Sequence, residues 1–322
     1  MPGISGLRAW WAERPPAAGA AVLATGIVSI ALHMTGHETV SRVFLWLGCL
    51  AWLALAADFC ARLVWRRQRW LADAGTPGSI TAVAATTVLG TRLSALGSQT
   101  PAEEFLALAA LLWPVLLFLV VRRWERRMPG AVFLCCVGTE GLAVLAATLA
   151  AAESTAWLAH AALVLFWLGL VLYCVALPRF DPRQLWQGAG DQWIAGGALA
   201  ISALAGARLL AADSARLYLW NDDDEGVLRD MTGALLVLSL AWYAVLLVAE
   251  VARPRPAYDV RRWATVFPQG MTAAAVLSGA TVLDVPWLRS LGQVLMWVAV
   301  AAWLAVAVGA VLDARAGISA RL

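Results

Sequence analysis

The sequence is poor in charged residues, which are the residues that keep a folded chain soluble in water. They make up 14% of its 322 residues, against about 25% in an ordinary soluble domain. Lysine is absent, so all 24 basic residues are arginine, and the net charge is only +3. These values argue against a soluble enzyme, a secreted domain and a disordered chain. They also give no reason to expect a nucleic-acid partner.

The sequence also lacks the motifs that carry catalysis or hold a metal ion. Its five cysteines lie in apolar stretches, without the CxxC or Cys/His spacing that is typical of metal sites and redox centres. It contains no HExxH motif, no P-loop and no nucleophile elbow. We therefore predict a protein that is not an enzyme and that needs no cofactor and no metal.

Hydrophobic residues, in contrast, make up 61% of the chain, and the mean hydropathy is +0.74. A soluble fold of this length cannot bury so much apolar surface, so lipid is the expected solvent, and each span needs roughly 20 apolar residues. Ten segments qualify, and they predict a single all-α transmembrane domain over residues 1–322. The predicted spans are 17–34, 41–64, 79–97, 103–121, 130–151, 155–177, 190–211, 231–252, 264–283 and 289–312.

The arginines lie mainly on one side of these ten spans. Eighteen of the 24 fall in the two termini, in the loops that follow spans 2, 4, 6 and 8, or, for Arg62, at the end of span 2 next to its loop. Because positively charged loops stay in the cytoplasm, both termini are predicted to be cytoplasmic. The membrane is predicted to be the inner membrane of a bacterium.

The composition alternates from one span to the next. Even-numbered spans are rich in Leu, Val and Trp, whereas odd-numbered spans carry small residues, Ser and Thr. Small residues let helices approach closely inside a bundle, while bulky apolar residues suit contact with lipid. The alternation predicts five helical hairpins, with odd helices inside and even helices outside. The small residues of the inner helices either serve tight packing alone or line a central pore. The same change of composition occurs in all five pairs of successive spans, which favours the pore.

The odd spans supply the candidate residues that line this path. They are Thr25, Ser29, Thr86, Thr87, Arg92, Thr139, Glu140, Ser202, Arg208, Gly270 and Thr272. Ionisable groups at membrane depth usually face the bundle interior. In the predicted orientation, Arg92 and Arg208 lie toward the outer end, where two positive charges would favour anions, and Glu140 lies near mid-depth. The alternative is that one of the arginines pairs with Glu140 as a structural brace.

Four segments of the odd spans carry a resemblance to a known family. They are 24–29 (ATGIVS), 89–93 (LGTRL), 191–201 (DQWIAGGALAI) and 262–271 (RWATVFPQGM). In this order, and over roughly residues 14–314, they resemble the tellurite-resistance/dicarboxylate transporter family. That family includes slow-type anion channels and malate permeases.

The resemblance implies five hairpins around a central pore and a homotrimer in which each subunit has its own pore. In the channel branch, a Phe of the ninth helix plugs the pore within a W-x-x-x-F-P pattern. The matching residue is Phe267, between Trp263 and Pro268. A phenyl ring in a dewetted constriction can act as a gate, and the alternative is an aromatic packed beside a proline kink. Two residues depart from the family pattern: Gln269 replaces an apolar residue, and Glu140 places a carboxylate on an inner helix.

The sequence therefore predicts membrane transport of a small anion, such as a C4-dicarboxylate or a tellurite-type oxyanion, through a central pore. Glu140 leaves room for proton coupling. The first alternative is a passive gated anion channel on the same fold. The second is a membrane protein that transports nothing and has a structural or resistance role. The expected partners are the anion, the lipid bilayer and two further copies of the chain.

Overall fold

The computed structural model describes residues 18–213, 222–254 and 258–319, with only the backbone at 222–224 and 317–319. The regular structure of these residues is helical, without a sheet. Ten helices of at least 15 residues, named α1 to α10, make up most of it. They are Gly19–Met34, Glu38–Trp65, Thr81–Ala95, Gln99–Val121, Leu134–Glu153, Ala156–Ala176, Ile194–Ala212, Asp222–Ala252, Trp263–Val282 and Trp287–Ser319.

Seven of these helices are long and apolar enough to cross a membrane: α2, α4, α5, α6, α7, α8 and α10. Helix α1 is apolar but shorter, with 16 residues. The chain is therefore a multi-pass membrane protein. Each predicted span lies on a helix, and the largest differences are at α8, which begins at Asp222, and at α10, which continues to Ser319. Both extensions carry charged residues, which a search for apolar runs leaves out.

The odd and even helices differ in burial in the direction that their composition predicts. In the most apolar stretch of the span that contains α5, 94% of the residues are buried, and in that of α7 83% are buried. The corresponding value is 17% in α2 and also 17% in α4. Three tryptophans of the even helices project outward: Trp46 is 63% exposed, Trp157 68% and Trp287 65%. Bulky apolar side chains on the outer surface are what a lipid environment accommodates.

The odd helices pack side by side in a closed ring. α1 packs against α3, α3 against α5, α5 against α7, α7 against α9, and α9 against α1. Odd helices that are not neighbours in the ring make no extensive contact among the described residues. Each odd helix also packs against the even helix that follows it. Glycines permit the close approach: a Cβ added at Gly26 would lie 2.8 Å from Val88, and one added at Gly270 would lie 2.8 Å from Ile27.

Short 3₁₀ turns lead into α7 and α9, and two residues shape them. Gly190 has a φ of +137°, which L side chains rarely adopt, and an added Cβ would lie 2.5 Å from the Arg261 carbonyl oxygen. Asp259 accepts hydrogen bonds from the backbone N–H and the guanidinium of Arg261, both at 2.8 Å. The guanidinium of Arg261 holds the pKa of the Asp259 carboxyl below its usual value. The close approach of Gly190 to Arg261 brings the starts of α7 and α9 together, while the Asp259 hydrogen bonds hold the turn before α9.

Candidate functional site

Three of the predicted lining hydroxyls accept hydrogen bonds from tryptophans of even helices. In each case the indole N–H of an even helix donates to a threonine of the next odd helix around the ring. The pairs are Trp52 Nε1 to Thr86 Oγ1 at 2.9 Å, Trp113 Nε1 to Thr139 Oγ1 at 2.8 Å, and Trp303 Nε1 to Thr25 Oγ1 at 2.9 Å. These three hydroxyls are therefore turned toward the even helices, where they join neighbouring hairpins.

Arg92 lies at the junction of α1, α2 and α3 and is completely buried. Its Nη2 donates to Glu38 Oε1 at 2.8 Å, and its Nε donates to Ser41 Oγ at 3.0 Å. The hydroxyl of Ser41 lies 3.1 Å from that of Ser29. Arg92 Nη1 has no hydrogen-bond partner among the described residues. A pairing of Arg92 with Glu140 is thus wrong, because the carboxylate that Arg92 binds belongs to α2.

Glu140 lies between α5, α6 and α7 and is also completely buried. Its Oε1 accepts a hydrogen bond from Ser202 Oγ at 2.9 Å, while Oε2 has no partner among the described residues. Gly169 of α6 makes room for this carboxylate, because a Cβ added there would overlap it. In the described part of the chain no arginine forms a salt bridge with Glu140. The predicted brace between Glu140 and Arg208 is therefore not formed either.

Arg208 lies near the end of α7, with its Nη2 4.0 Å from the Sδ of Met34, the last residue of α1. Its Nε has no partner among the described residues. Glu38, the partner of Arg92, follows Met34 after a short turn, so both arginines reach the same end of the ring. Arg42 also binds Glu38, at 2.9 Å. His33 Nδ1 also lies 2.6 Å from Glu38 Oε2, so two arginines and a histidine share this one carboxylate.

Phe267 is completely buried near the start of α9 and precedes Pro268, which lies inside the helix. Pro268 has no N–H to donate, which favours a bend at this point. Gly197 of α7 faces the proline, where an added Cβ would lie 2.8 Å from Pro268 Cβ. Thr272 Oγ1 donates to the Pro268 carbonyl oxygen at 2.9 Å. The structure thus places Phe267 on an inner helix, where α7 and α9 approach closely.

The other predicted lining residues make contacts within the ring. Thr87 Oγ1 donates to the Ala84 carbonyl oxygen at 2.9 Å and lies against Gly141 of α5. Gly270 of α9 lies against Ile27 of α1. The predicted residues therefore belong to one ring, but they do not form one cluster.

Sequence reasoning missed Glu38 and Ser41, the two partners of Arg92. Ser41 is the first residue of predicted span 2 and Glu38 lies just before it, whereas the prediction considered only the odd spans. A signal was present in the sequence: Arg92 lies near the end of span 3, and Glu38 follows the end of span 1. Because the predicted spans 1 and 3 cross the membrane in the same direction, their ends lie at the same depth in the membrane, and Arg92 can reach Glu38.

Comparison with models of protein families matches residues 13–311 to the family described as voltage-dependent anion channel. This family includes slow anion channels, tellurite-resistance proteins and malate permeases, so the resemblance found in the sequence is confirmed. A search of curated proteins finds no match. Membership implies anion channel or transport activity, and the family is not one of enzymes. The match spans nearly the whole chain, and on this ground the chain belongs to the voltage-dependent anion channel family.

Proposed function

We propose that the chain carries small anions across the bacterial inner membrane along the axis of the ring of odd helices. In this proposal all ten helices cross the membrane as five hairpins, and the odd helices enclose the pore. The observation that carries it is the ring itself: five inner helices close on one another, while odd helices that are not neighbours make no extensive contact. In this proposal small residues at the helix contacts hold the ring together, and the path runs along its centre.

The charges at one end of the ring support an anion as the substrate. Arg92 and Arg208 both reach the end at which α1 finishes, and each has a guanidinium nitrogen without a partner among the described residues. Cationic groups at the mouth of a narrow path attract anions and repel cations. We propose a C4-dicarboxylate or a tellurite-type oxyanion as the substrate.

Flux into liposomes tests this proposal. The purified chain is reconstituted, and uptake of succinate, malate and tellurite is measured with and without a proton gradient, with empty liposomes as the control. We expect the liposomes to take up these anions but not cations of similar size. Flux that is electrogenic without a proton gradient identifies a passive channel, and flux that requires the gradient identifies a coupled carrier. Absence of any flux would favour the non-transporting alternative.

Glu140 favours the proton-coupled form of the proposal. A buried carboxylate without a cation is costly, whereas a protonated carboxyl at this place needs no counter-charge. Glu140→Gln should remove the dependence of anion flux on the proton gradient. Glu104→Gln, at an exposed position of α4, is the matched control and should leave that dependence unchanged. Equal behaviour of the two variants would contradict coupling through Glu140.

We propose Phe267 as the gate of the path. Its ring would exclude water from the constriction, and the bend at Pro268 would allow it to move. Phe267→Ala should then raise anion leak. Phe166→Ala is the matched control, because Phe166 is equally buried but lies on an even helix. If Phe267 only packs, both truncations should cost about 3–5 kcal/mol of stability and neither should raise the leak.

The assembly and orientation complete the proposal. We propose a homotrimer with cytoplasmic termini, as the resemblance and the arginine asymmetry imply. Native mass spectrometry should show three chains per particle. A reporter that is active only in the periplasm should be inactive when it is fused after Leu322, and an active fusion would overturn the orientation.

A further inference from the structure

A cavity of about 340 Å³ lies outside the ring, bounded by α1, α2, α3 and α4. Its walls are mainly apolar and include Val22 of α1, Leu55 of α2, Ala85 of α3 and Leu112 of α4. The short helix Arg67–Ala74 contributes to one end of it. Ligand pockets in proteins usually measure about 300–1,000 Å³, so the cavity is large enough to hold part of a small molecule.

The cavity opens toward the surface that faces lipid. Two of its lining residues on even helices are partly exposed: Leu63 is 42% exposed and Leu108 is 37% exposed. Trp65 follows Leu63 by two residues in the sequence. It is 79% exposed, as expected of a tryptophan at the membrane interface. From Ser79 to Thr86 the wall of the cavity rises roughly 10 Å along the chain into the membrane. An elongated apolar cavity with this position suits a hydrocarbon chain.

Charged groups surround the interfacial end of the cavity. Arg62 lies there and forms salt bridges to Asp58 at 2.8 Å and to Asp73 at 3.0 Å. Three exposed arginines follow in sequence: Arg66, Arg67 and Arg69. The four arginines outnumber the two aspartates, so this end is positively charged. Arginine clusters directly beside a transmembrane helix attract anionic lipid headgroups.

We propose that this cavity binds one acyl chain of an anionic phospholipid, whose phosphate lies against the exposed arginines that follow Arg62. The apolar walls accept the hydrocarbon chain, and the net positive charge selects the headgroup. The bound lipid fills the space between the first two hairpins on the outer side of α1 and α3. The site is separate from the proposed anion path and does not depend on anion transport.

Native mass spectrometry of the delipidated chain tests the site. The chain is titrated with phosphatidylglycerol or with phosphatidylcholine that carries the same acyl chains. We expect one phosphatidylglycerol per chain, bound more tightly than phosphatidylcholine. Ala82→Phe places a ring in the cavity and should weaken the binding of both lipids at least about tenfold, which is the loss expected from roughly two methylene groups. Ala110→Phe, at an exposed position of α4 outside the cavity, is the control and should bind as the wild type does.

The arginines are tested separately from the cavity. The triple variant R66Q/R67Q/R69Q should lose roughly fivefold in phosphatidylglycerol affinity for each arginine removed, with little change for phosphatidylcholine.

If Ala82→Phe does not fold, as judged by thermal unfolding, Ala56→Phe fills the cavity from α2 and replaces it. Equal phosphatidylglycerol affinity of the wild type, the cavity variant and Ala110→Phe would overturn the proposal. A cavity variant that changes the number of chains per particle while it keeps its lipid affinity would overturn it too, and would assign the cavity to contact with a second copy.

Discussion

The junction of α1, α2 and α3 and the junction of α5, α6 and α7 each bury one charged side chain of an inner helix, but they surround it differently. Arg92 has a carboxylate at 2.8 Å and a hydroxyl at 3.0 Å. Glu140 has one hydroxyl at 2.9 Å and no arginine partner in the described part of the chain. The first junction therefore compensates its buried charge, and the second does not.

This difference separates a structural role from a functional one. Removing one partner of a buried ion pair is strongly destabilising, because the other charge stays behind without compensation. A charge that is buried in the membrane without a partner is costly and usually marks a functional site. We therefore infer that the ion pair of Arg92 with Glu38 stabilises the first junction, in addition to the proposed contribution of Arg92 to anion attraction. Glu140, in contrast, is the residue whose change should affect transport more than stability.

The largest effect is expected when the Arg92 pair is broken from the Glu38 side. Glu38→Gln leaves a completely buried guanidinium without a carboxylate and should lower stability by about 3–5 kcal/mol. Arg92→Met leaves Glu38 in reach of water, because its side chain is 35% exposed, so the loss should be smaller. Arg42→Gln is the control and should cost about 1 kcal/mol or less. Unfolding in detergent measures all three, and equal losses for the first two would contradict this view of the junction.

An intermediate effect is expected at Gly169, where α6 leaves room for the carboxylate of Glu140. Gly169→Ala should cost about 1–3 kcal/mol, since the added methyl group meets that carboxylate. The same change in a chain that also carries Glu140→Ala should cost clearly less. Gly226→Ala serves as the control, because an added Cβ there meets nothing within 4 Å. Thermal unfolding gives the ranking, and strictly additive losses would show that Gly169 and Glu140 do not interact.

The smallest effect on stability is expected for Glu140→Gln. The amide has the same shape, retains the hydrogen bond from Ser202, and deprives no arginine of a partner in the described residues. Its stability should lie within about 1 kcal/mol of the wild type. A loss as large as that of Glu38→Gln would mean that Glu140 has a cationic partner, and the contrast between the two junctions would disappear.

The positions of the helices could be predicted well from the sequence. Apolar runs end where charged residues or turn residues begin, so every predicted span lies on a helix. The odd and even alternation also predicted burial correctly, as Trp46 and Phe267 illustrate: the first is 63% exposed and the second is completely buried. The start of α8 was missed because residues 222–229 are mostly charged but still helical.

The partners of the buried polar groups could not be predicted in the same way. Hydropathy reports the depth of a residue in the membrane, but not the direction in which its side chain leaves the helix. Arg92 and Glu140 both lie on odd helices, yet they belong to junctions that face different even helices. For the same reason the hydrogen bonds that Thr25, Thr86 and Thr139 accept from tryptophans of even helices could not be predicted.

The hydrogen bond from Trp303 to Thr25 joins the tenth helix to the first, across 278 positions of the chain. At ribosomal rates of about 5–20 residues per second, the first helix enters the membrane roughly 15–60 s before this partner is made. Throughout that interval the surface of α1 that later receives α9 and α10 has to be kept from other contacts, by lipid or by the insertion machinery. Biogenesis of this protein cannot therefore be completed one hairpin at a time, and a truncation near the C-terminus should leave the N-terminal helix open to misassembly.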